Sequence, residues 1–143
     1  MEKNLNQLLA DSVVTYHKLQ NFHWYVGGRG FMTTHLKLEE LFNGFLEVID
    51  SVAETMLMHG FKPVASLAEC LSIAQIKEAD DERKSPVEIY EAVLADFEYL
   101  YNFTMGLKKS ADEEGYYHIS TMLDEIISPL AKNNWMLRAE LGD

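Results

Sequence analysis

The sequence predicts an all-α protein, a four-helix bundle with a short extra helix in the long connection between helices two and three. Apolar residues recur at helical spacing in four long stretches, whereas the alternation typical of strands is scarce. Two segments, SLAE and SPVE, have the Ser-x-x-Glu pattern that begins helices. No repeat or change of composition divides the 143 residues, so we expect a single domain over 1–143.

The first two helices are predicted from apolar periodicity and from the residues that end it. The first covers about 4–25 and is followed by the turn GGRG at 27–30. The second runs from about Thr34 to His59, because Gly60 can adopt the left-handed conformation that ends a helix. Pro63 then prevents the helix from resuming.

The remaining helices are predicted mainly from their start signals. SLAE begins a short helix over about 66–73, and an acidic loop follows it. SPVE at 85–88 begins the third long helix, with a serine cap and a proline in the first turn, and this helix ends near Gly115. The fourth runs from about Tyr116 to Leu141. Pro129 should kink it, because an interior proline removes one backbone hydrogen bond.

Composition excludes several classes of protein. A net charge of −11 argues against general affinity for nucleic acid, whose phosphates require Lys and Arg. The single Cys70 excludes an intrachain disulfide and fits a reducing compartment. No signal peptide is recognisable, and no apolar run approaches the ~18 residues of a membrane span. We therefore expect a cytoplasmic protein with no membrane partner.

When the residues of the second helix are placed at intervals of 100° around its axis, they fall on three arcs that differ in their side chains. An apolar arc predicts the bundle core: Leu38, Leu41, Phe42, Phe45, Val48, Ile49, Val52 and Met56. A polar arc is expected to face water: Glu40, Glu47, Ser51 and Thr55. A third arc mixes acids and a histidine with leucines: His35, Leu36, Glu39, Leu46, Asp50, Ala53, Glu54 and Leu57. The mixture suits neither solvent nor core, and predicts an interface with a polar site built into it.

Spacing on the third arc predicts how such a site would be assembled. Asp50 and Glu54 lie one helical turn apart and could hold one cation or a close pair, and His35 and Glu39 have the same spacing. The middles of the two pairs are about 22 Å apart along a straight helix, so one subunit cannot bring them to one ion. Two antiparallel copies of the helix would form two identical composite sites. His23, at the end of helix one, can join His35 of its own chain.

The residue types narrow the choice of metal. Imidazole and carboxylate ligands suit iron, manganese or zinc. No histidine has an acid three positions before it, which excludes a di-iron centre built from Glu-x-x-His motifs within one subunit. Taken singly, an acid pair on a helix is more often solvated surface, and a lone histidine is more often an ordinary polar side chain. His17, His59 and His118 lack a partner pattern and receive no role.

The sequence resembles the Dps mini-ferritins, the DNA-binding proteins from starved cells and their relatives that do not bind DNA. The resemblance covers nearly the whole chain. Its most specific part is FHW at 22–24, then His35, then DSVAE at 50–54. HGFKPVASLAECL, IKEADDE and NNWMLRAEL also look like segments of that family.

The resemblance implies a ferritin-like fold, a hollow dodecamer, and ferroxidase centres of one or two irons at two-fold interfaces. His23 and His35 would come from one subunit and Asp50 and Glu54 from the next, with Glu39 in support. The family oxidises Fe(II), generally with hydrogen peroxide in preference to dioxygen, and stores the ferric mineral. This implies a function in iron storage and protection against oxidative stress.

Departures from the family pattern concern DNA binding and the entry of iron. Members that bind DNA often carry a Lys-rich tail; none is present here, so we do not expect DNA binding. Tyr116 and Thr121 occupy places that are often acidic at the iron-entry pore, which leaves Asp124 and Glu125 as candidates. Two alternatives to the ferroxidase remain open. One is a DNA-compacting structural cage, and the other is a cage that holds zinc or manganese with little oxidase activity.

Overall fold

The computed structural model describes residues 1–142, and its long helices agree closely with those predicted. Helices α1, α2 and α3 cover Glu2–Tyr25, Phe31–Met58 and Leu67–Ile73. Helices α4 and α5 cover Pro86–Glu113 and Tyr117–Leu141. Helix α1 packs mainly against α2 and α4 mainly against α5, while α3 rests on α1. The all-α prediction is confirmed, and the short α3 lies in the long connection as expected.

Local capping explains why the helices begin and end where they do. At the start of α4, the Ser85 hydroxyl accepts the Glu88 N–H at 3.3 Å and the Glu88 carboxylate accepts the Ser85 N–H at 2.8 Å. This confirms the predicted capping box. At α3 the Ser66 hydroxyl accepts the Glu69 N–H at 3.2 Å, which makes Ser66 the predicted N-cap.

The end of α2 is fixed by the residue that the sequence indicated. Gly60 has φ of +76°, the left-handed conformation that favours glycine. The N–H of Phe61 then reaches back to the Met56 carbonyl at 2.9 Å, which completes a Schellman motif. Helix α5, in contrast, continues through Pro129, and the expected kink there stays a prediction.

The apolar arc of α2 lies in the core as predicted. Six of its members are buried, and Val48 and Ile49 are partly buried against the core. On the polar arc, Thr55 is only 5% exposed, so the prediction that it faces water is wrong. Glu40 and Glu47 are exposed as predicted, and with the partly exposed Ser51 they line a cleft of about 320 Å³ between α2 and α5. None of the helices in residues 1–142 has the length and apolar character needed to cross a membrane.

A buried carboxylate, which the sequence did not reveal, ties α1 to the connection before α4. Asp11 is fully buried, and one of its oxygens accepts the N–H groups of Gln75 and Ile76 at 2.7 and 3.1 Å. The other oxygen accepts the Tyr99 hydroxyl at 2.6 Å. Burial and this carboxylate raise the pKa of Tyr99 far above its usual range.

A second contact joins the connection before α4 to the turn between α1 and α2. The Gly27 N–H in that turn donates to the carbonyl of Lys84 in the connection at 3.0 Å, which holds the turn in place.

Candidate metal centre

His23 and His35 are brought together where α1 ends and α2 begins. Their rings stack with centroids 3.7 Å apart and planes 12° from parallel. His23 is buried and lies edge-on to Phe42, whereas His35 is partly exposed and stacks on Phe31 at 5.1 Å. The short turn between the two helices thus holds the two imidazoles against each other, one of them buried and the other partly exposed.

Reciprocal hydrogen bonds determine which ring nitrogen of each histidine is free. The Nδ1 atom of His23 lies 2.7 Å from the His35 carbonyl oxygen, and Nδ1 of His35 lies 2.8 Å from the His23 carbonyl oxygen. A carbonyl oxygen can only accept, so each Nδ1 must carry the hydrogen. In the neutral imidazole Nε2 then keeps its lone pair, and an Nδ1–H bonded to a backbone carbonyl is the usual support of a metal-binding histidine.

The acidic residues lie on the same helix as His35 but at a distance from it. Asp50 and Glu54 are both exposed, and the Asp50 carboxyl raises the pKa of Glu54 through a hydrogen bond and through charge repulsion. Two carboxyls that interact in this way are close enough to share a cation. Glu39 is exposed one turn beyond His35.

The structure does not join these two halves within one chain. Helix α2 is continuous from Phe31 to Met58, so the histidine end and the acid pair stay about 22 Å apart. Across residues 1–142, no cluster of three or more His, Cys, Asp or Glu side chains is arranged to hold a metal ion. A complete centre built from the predicted residues therefore requires a second copy of α2.

Large apolar side chains surround the acids on the exposed face of α2. Leu36, Leu46 and Leu57 are 63%, 48% and 61% exposed in the single chain. Trp24, next to His23, is 60% exposed, and its ring lies 6.5 Å from that of His17. An apolar surface of this kind on an isolated chain is typical of a protein–protein interface.

The acids named as candidates for iron entry lie in different surroundings. Asp124 forms an ion pair with Lys108 at 3.1 Å, and Lys108 also donates to the Ser120 hydroxyl at 2.6 Å. Glu125 lines the cleft between α2 and α5. Asp124 is thus already partly neutralised, whereas Glu125 lies beside Glu40 and Glu47 on that cleft.

Sequence reasoning missed one contact between histidines. Nε2 of His59 lies 3.0 Å from Nδ1 of His118, although neither residue was given a role. Because the two residues are far apart in the chain and on different helices, no local spacing pattern could have indicated the pair.

Comparison with known proteins places this architecture in a family. Residues 2–143 match the ferritin-like domain. The DNA protection during starvation protein of Brevibacillus brevis is 42% identical over 96% of this chain and 91% of its own length. General stress protein 20U of Bacillus subtilis is 38% identical over 96% and 94%.

Solved structures agree with the sequence matches. The crystal structure of Helicobacter cinaedi CAIP superposes with a TM-score of 0.95 at 38% identity, and 99% of each chain is covered. A Dps protein from Bacillus brevis superposes with a TM-score of 0.94 at 41% identity over 98% of this chain and 93% of its own. The chain therefore belongs to the ferritin-like proteins and, among them, to the Dps mini-ferritins.

Proposed function

We propose that this protein is a ferroxidase that oxidises Fe(II) and stores the ferric product inside a closed homo-oligomer. The observation that carries the proposal is the stacked histidine pair, in which both Nδ1 atoms are bonded to backbone carbonyls. A pair of imidazoles whose Nδ1 atoms are both engaged can bind a transition metal through Nε2. The centre is completed by the partner's Asp50 and the partner's Glu54, with Glu39 in support.

The two halves of the centre make different contributions to the chemistry. The imidazoles hold iron as a neutral, directional pair, since their hydrogen bonds prevent the rings from turning. The carboxylates supply negative charge, which favours the ferric ion over the ferrous ion as the metal loses an electron. The neighbouring Asp50 carboxyl raises the pKa of Glu54, so protons compete with Fe(II) for this carboxylate more than they would for an isolated glutamate.

The proposed oxidant is hydrogen peroxide, with dioxygen as the alternative. Two Fe(II) ions supply two electrons, and one peroxide with two protons is reduced to two waters. Each iron loses one electron, so the equation balances without releasing hydroxyl radical. Consuming Fe(II) and peroxide together would protect the cell from oxidative damage, and we place this activity in the cytoplasm.

The assembly that we propose is a hollow dodecamer with two composite centres at each two-fold interface. The exposed leucines beside the acids of α2 support such an interface, because an isolated chain would leave them in water. A two-fold axis across α2 sets each histidine end beside the partner's acid pair. The mineral would then lie in the central cavity.

The direct test is anaerobic loading of the assembled protein with Fe(II), followed by hydrogen peroxide. We expect ferric absorbance to appear at about one peroxide per two irons and to elute with a particle of cage size. Ferric product that precipitates outside the protein, at the rate seen in buffer alone, would contradict the proposal.

A DNA-compacting cage is the second candidate, and the names of several relatives favour it, since they are called DNA protection during starvation proteins. The net charge of −11 favours iron chemistry over direct DNA binding. Gel retardation over a range of salt concentrations separates the two. The third candidate, a zinc or manganese cage, would be recognised by metal analysis of protein purified without added metal.

A further inference from the structure

We propose that His59 and His118 form a further metal site that takes a late divalent transition metal, with Cu(II) preferred. His59 is the C-terminal cap of α2, and His118 lies in the first turn of α5. Nε2 of His59 and Nδ1 of His118 are 3.0 Å apart. Neither residue takes part in the iron centre proposed above.

The two helix ends that flank this pair are built in the same way. Both α2 and α4 end in a Schellman motif, with Gly60 at φ +76° and Gly115 at φ +81°. After each glycine comes an aromatic residue, Phe61 or Tyr116, whose N–H reaches back to the last turn of its helix at 2.9 or 2.8 Å. The backbone on both sides of the histidine pair is therefore held by hydrogen bonds.

Aromatic packing also fixes the orientation of the first imidazole. The rings of Phe61 and Tyr116 contact each other with centroids 5.9 Å apart. The His59 ring lies against both, at 6.5 Å from Phe61 and 6.1 Å from Tyr116. These contacts limit how far the His59 ring can turn, so the movement needed to bind a metal falls mainly on the exposed His118.

The hydrogen bond determines what must move before a metal can bind, and the residue types indicate the class of metal. The facing nitrogens are 3.0 Å apart and the ring centroids 5.2 Å apart, so the two rings lie nearly end to end, as a straight hydrogen bond requires. For both lone pairs to reach one ion, the exposed His118 ring must turn aside from this line. Two imidazole nitrogens in adjacent positions suit the square-planar or tetragonal geometry of Cu(II) and Ni(II). Among first-row divalent ions, Cu(II) also has the highest intrinsic affinity for nitrogen ligands.

Besides the turn of the His118 ring, binding requires a change of tautomer but no net loss of protons from the neutral pair. In the hydrogen-bonded state one of the two facing nitrogens carries the hydrogen. When the metal enters, that imidazole moves its hydrogen to its other nitrogen, and both facing lone pairs become free for the ion. Because protons compete for the same lone pairs, binding weakens at acid pH.

The surroundings admit an ion with water in its remaining positions. In the single chain His118 is exposed and His59 is partly exposed, so an ion can reach the pair. His59 lies at the C-terminal end of α2, where the helix dipole places partial negative charge and favours a cation. The chain as a whole carries a net charge of −11, which attracts cations further.

The test uses Cu(II) alone as the probe, on the assembled protein carrying His23→Ala and His35→Ala, so that the histidines of the iron centre do not bind it. We expect one Cu(II) per subunit, with a nitrogen hyperfine pattern from two imidazoles in the electron paramagnetic resonance spectrum. In this background His118→Gln should reduce the affinity at least about tenfold and remove the two-nitrogen pattern. His17→Gln, which removes another exposed histidine, should change neither.

Two results would overturn the proposal. One is the absence of a stoichiometric Cu(II) site in the parent background. The other is a two-nitrogen spectrum that survives His118→Gln, or an equal loss of affinity in His17→Gln. No Fe(II) oxidation is measured in this experiment, so its outcome is independent of the proposed ferroxidase.

Discussion

Two inactive variants should restore each other's activity if the iron centre is shared between subunits. The first variant lacks the histidine half, through His23→Ala and His35→Ala. The second lacks the acid half, through Asp50→Ala and Glu54→Ala. Each alone should lose rapid Fe(II) oxidation, because every centre then lacks half of its proposed ligands.

The expected recovery follows from the geometry of α2. The helix is unbroken from Phe31 to Met58, so its histidine end and its acid pair lie about 22 Å apart and must serve different ions. In an equal mixture with random pairing, half of the two-fold pairs combine both variants. Each mixed pair has one centre with both halves intact and one with neither. About a quarter of all centres should therefore be whole, and roughly a quarter of the native rate should return.

The assay is Fe(II) oxidation followed by absorbance after both variants are unfolded, mixed equally and reassembled. Each unmixed variant, carried through the same procedure, gives the background due to mineral formation at the surface. Mass labels on one variant show whether mixed particles have formed. Mixed particles that assemble but remain as inactive as their parents would refute the intersubunit centre, since a centre contained in one chain predicts no recovery.

Three further predictions concern assembly, nucleic acid and stability. Light scattering should show a closed multi-subunit particle at micromolar concentration, because the exposed leucines of α2 are stabilised by burial in an interface. A predominantly monomeric protein would contradict this. In a gel, the protein should not retard duplex DNA at physiological salt, because at a net charge of −11 it has too few clustered Lys and Arg side chains to displace counterions from the phosphates. Retardation with a steep salt dependence would contradict this by revealing a basic surface. Tyr99→Phe should lower the free energy of unfolding by about 1–3 kcal/mol at pH 8, because it removes a hydrogen-bond donor to the buried Asp11 carboxylate. Since the pKa of Tyr99 is raised in the folded protein, the stabilisation by its hydroxyl is complete below pH ~10 and declines as the pH rises further. The urea midpoints at pH 8 and pH 11 should therefore differ less in the variant than in the parent, and an equal difference would contradict this assignment.

The helices, and the chemically important side chains on each, could be predicted from the residues alone. Ser85 with Glu88, and Gly60 at the end of α2, are local signals that act within one turn, so they could be recognised without any tertiary contact. The spacing of Asp50 and Glu54 on a helix likewise follows from 3.6 residues per turn. These features are local because backbone hydrogen bonds in a helix join residues only four positions apart.

Which distant side chains come into contact could not be predicted without the packing of the helices. The sequence showed that His23 and His35 could approach, but not that their Nδ1 atoms bond to each other's carbonyl oxygens and leave both Nε2 atoms free. Nor did any pattern indicate the burial of Asp11 or the pairing of His59 with His118. The physical reason is that such contacts join residues on different helices or on a helix and a distant connection, and depend on how far each helix is rotated and shifted against its neighbour. Packing of the whole core sets those offsets, and no short segment of the chain contains them.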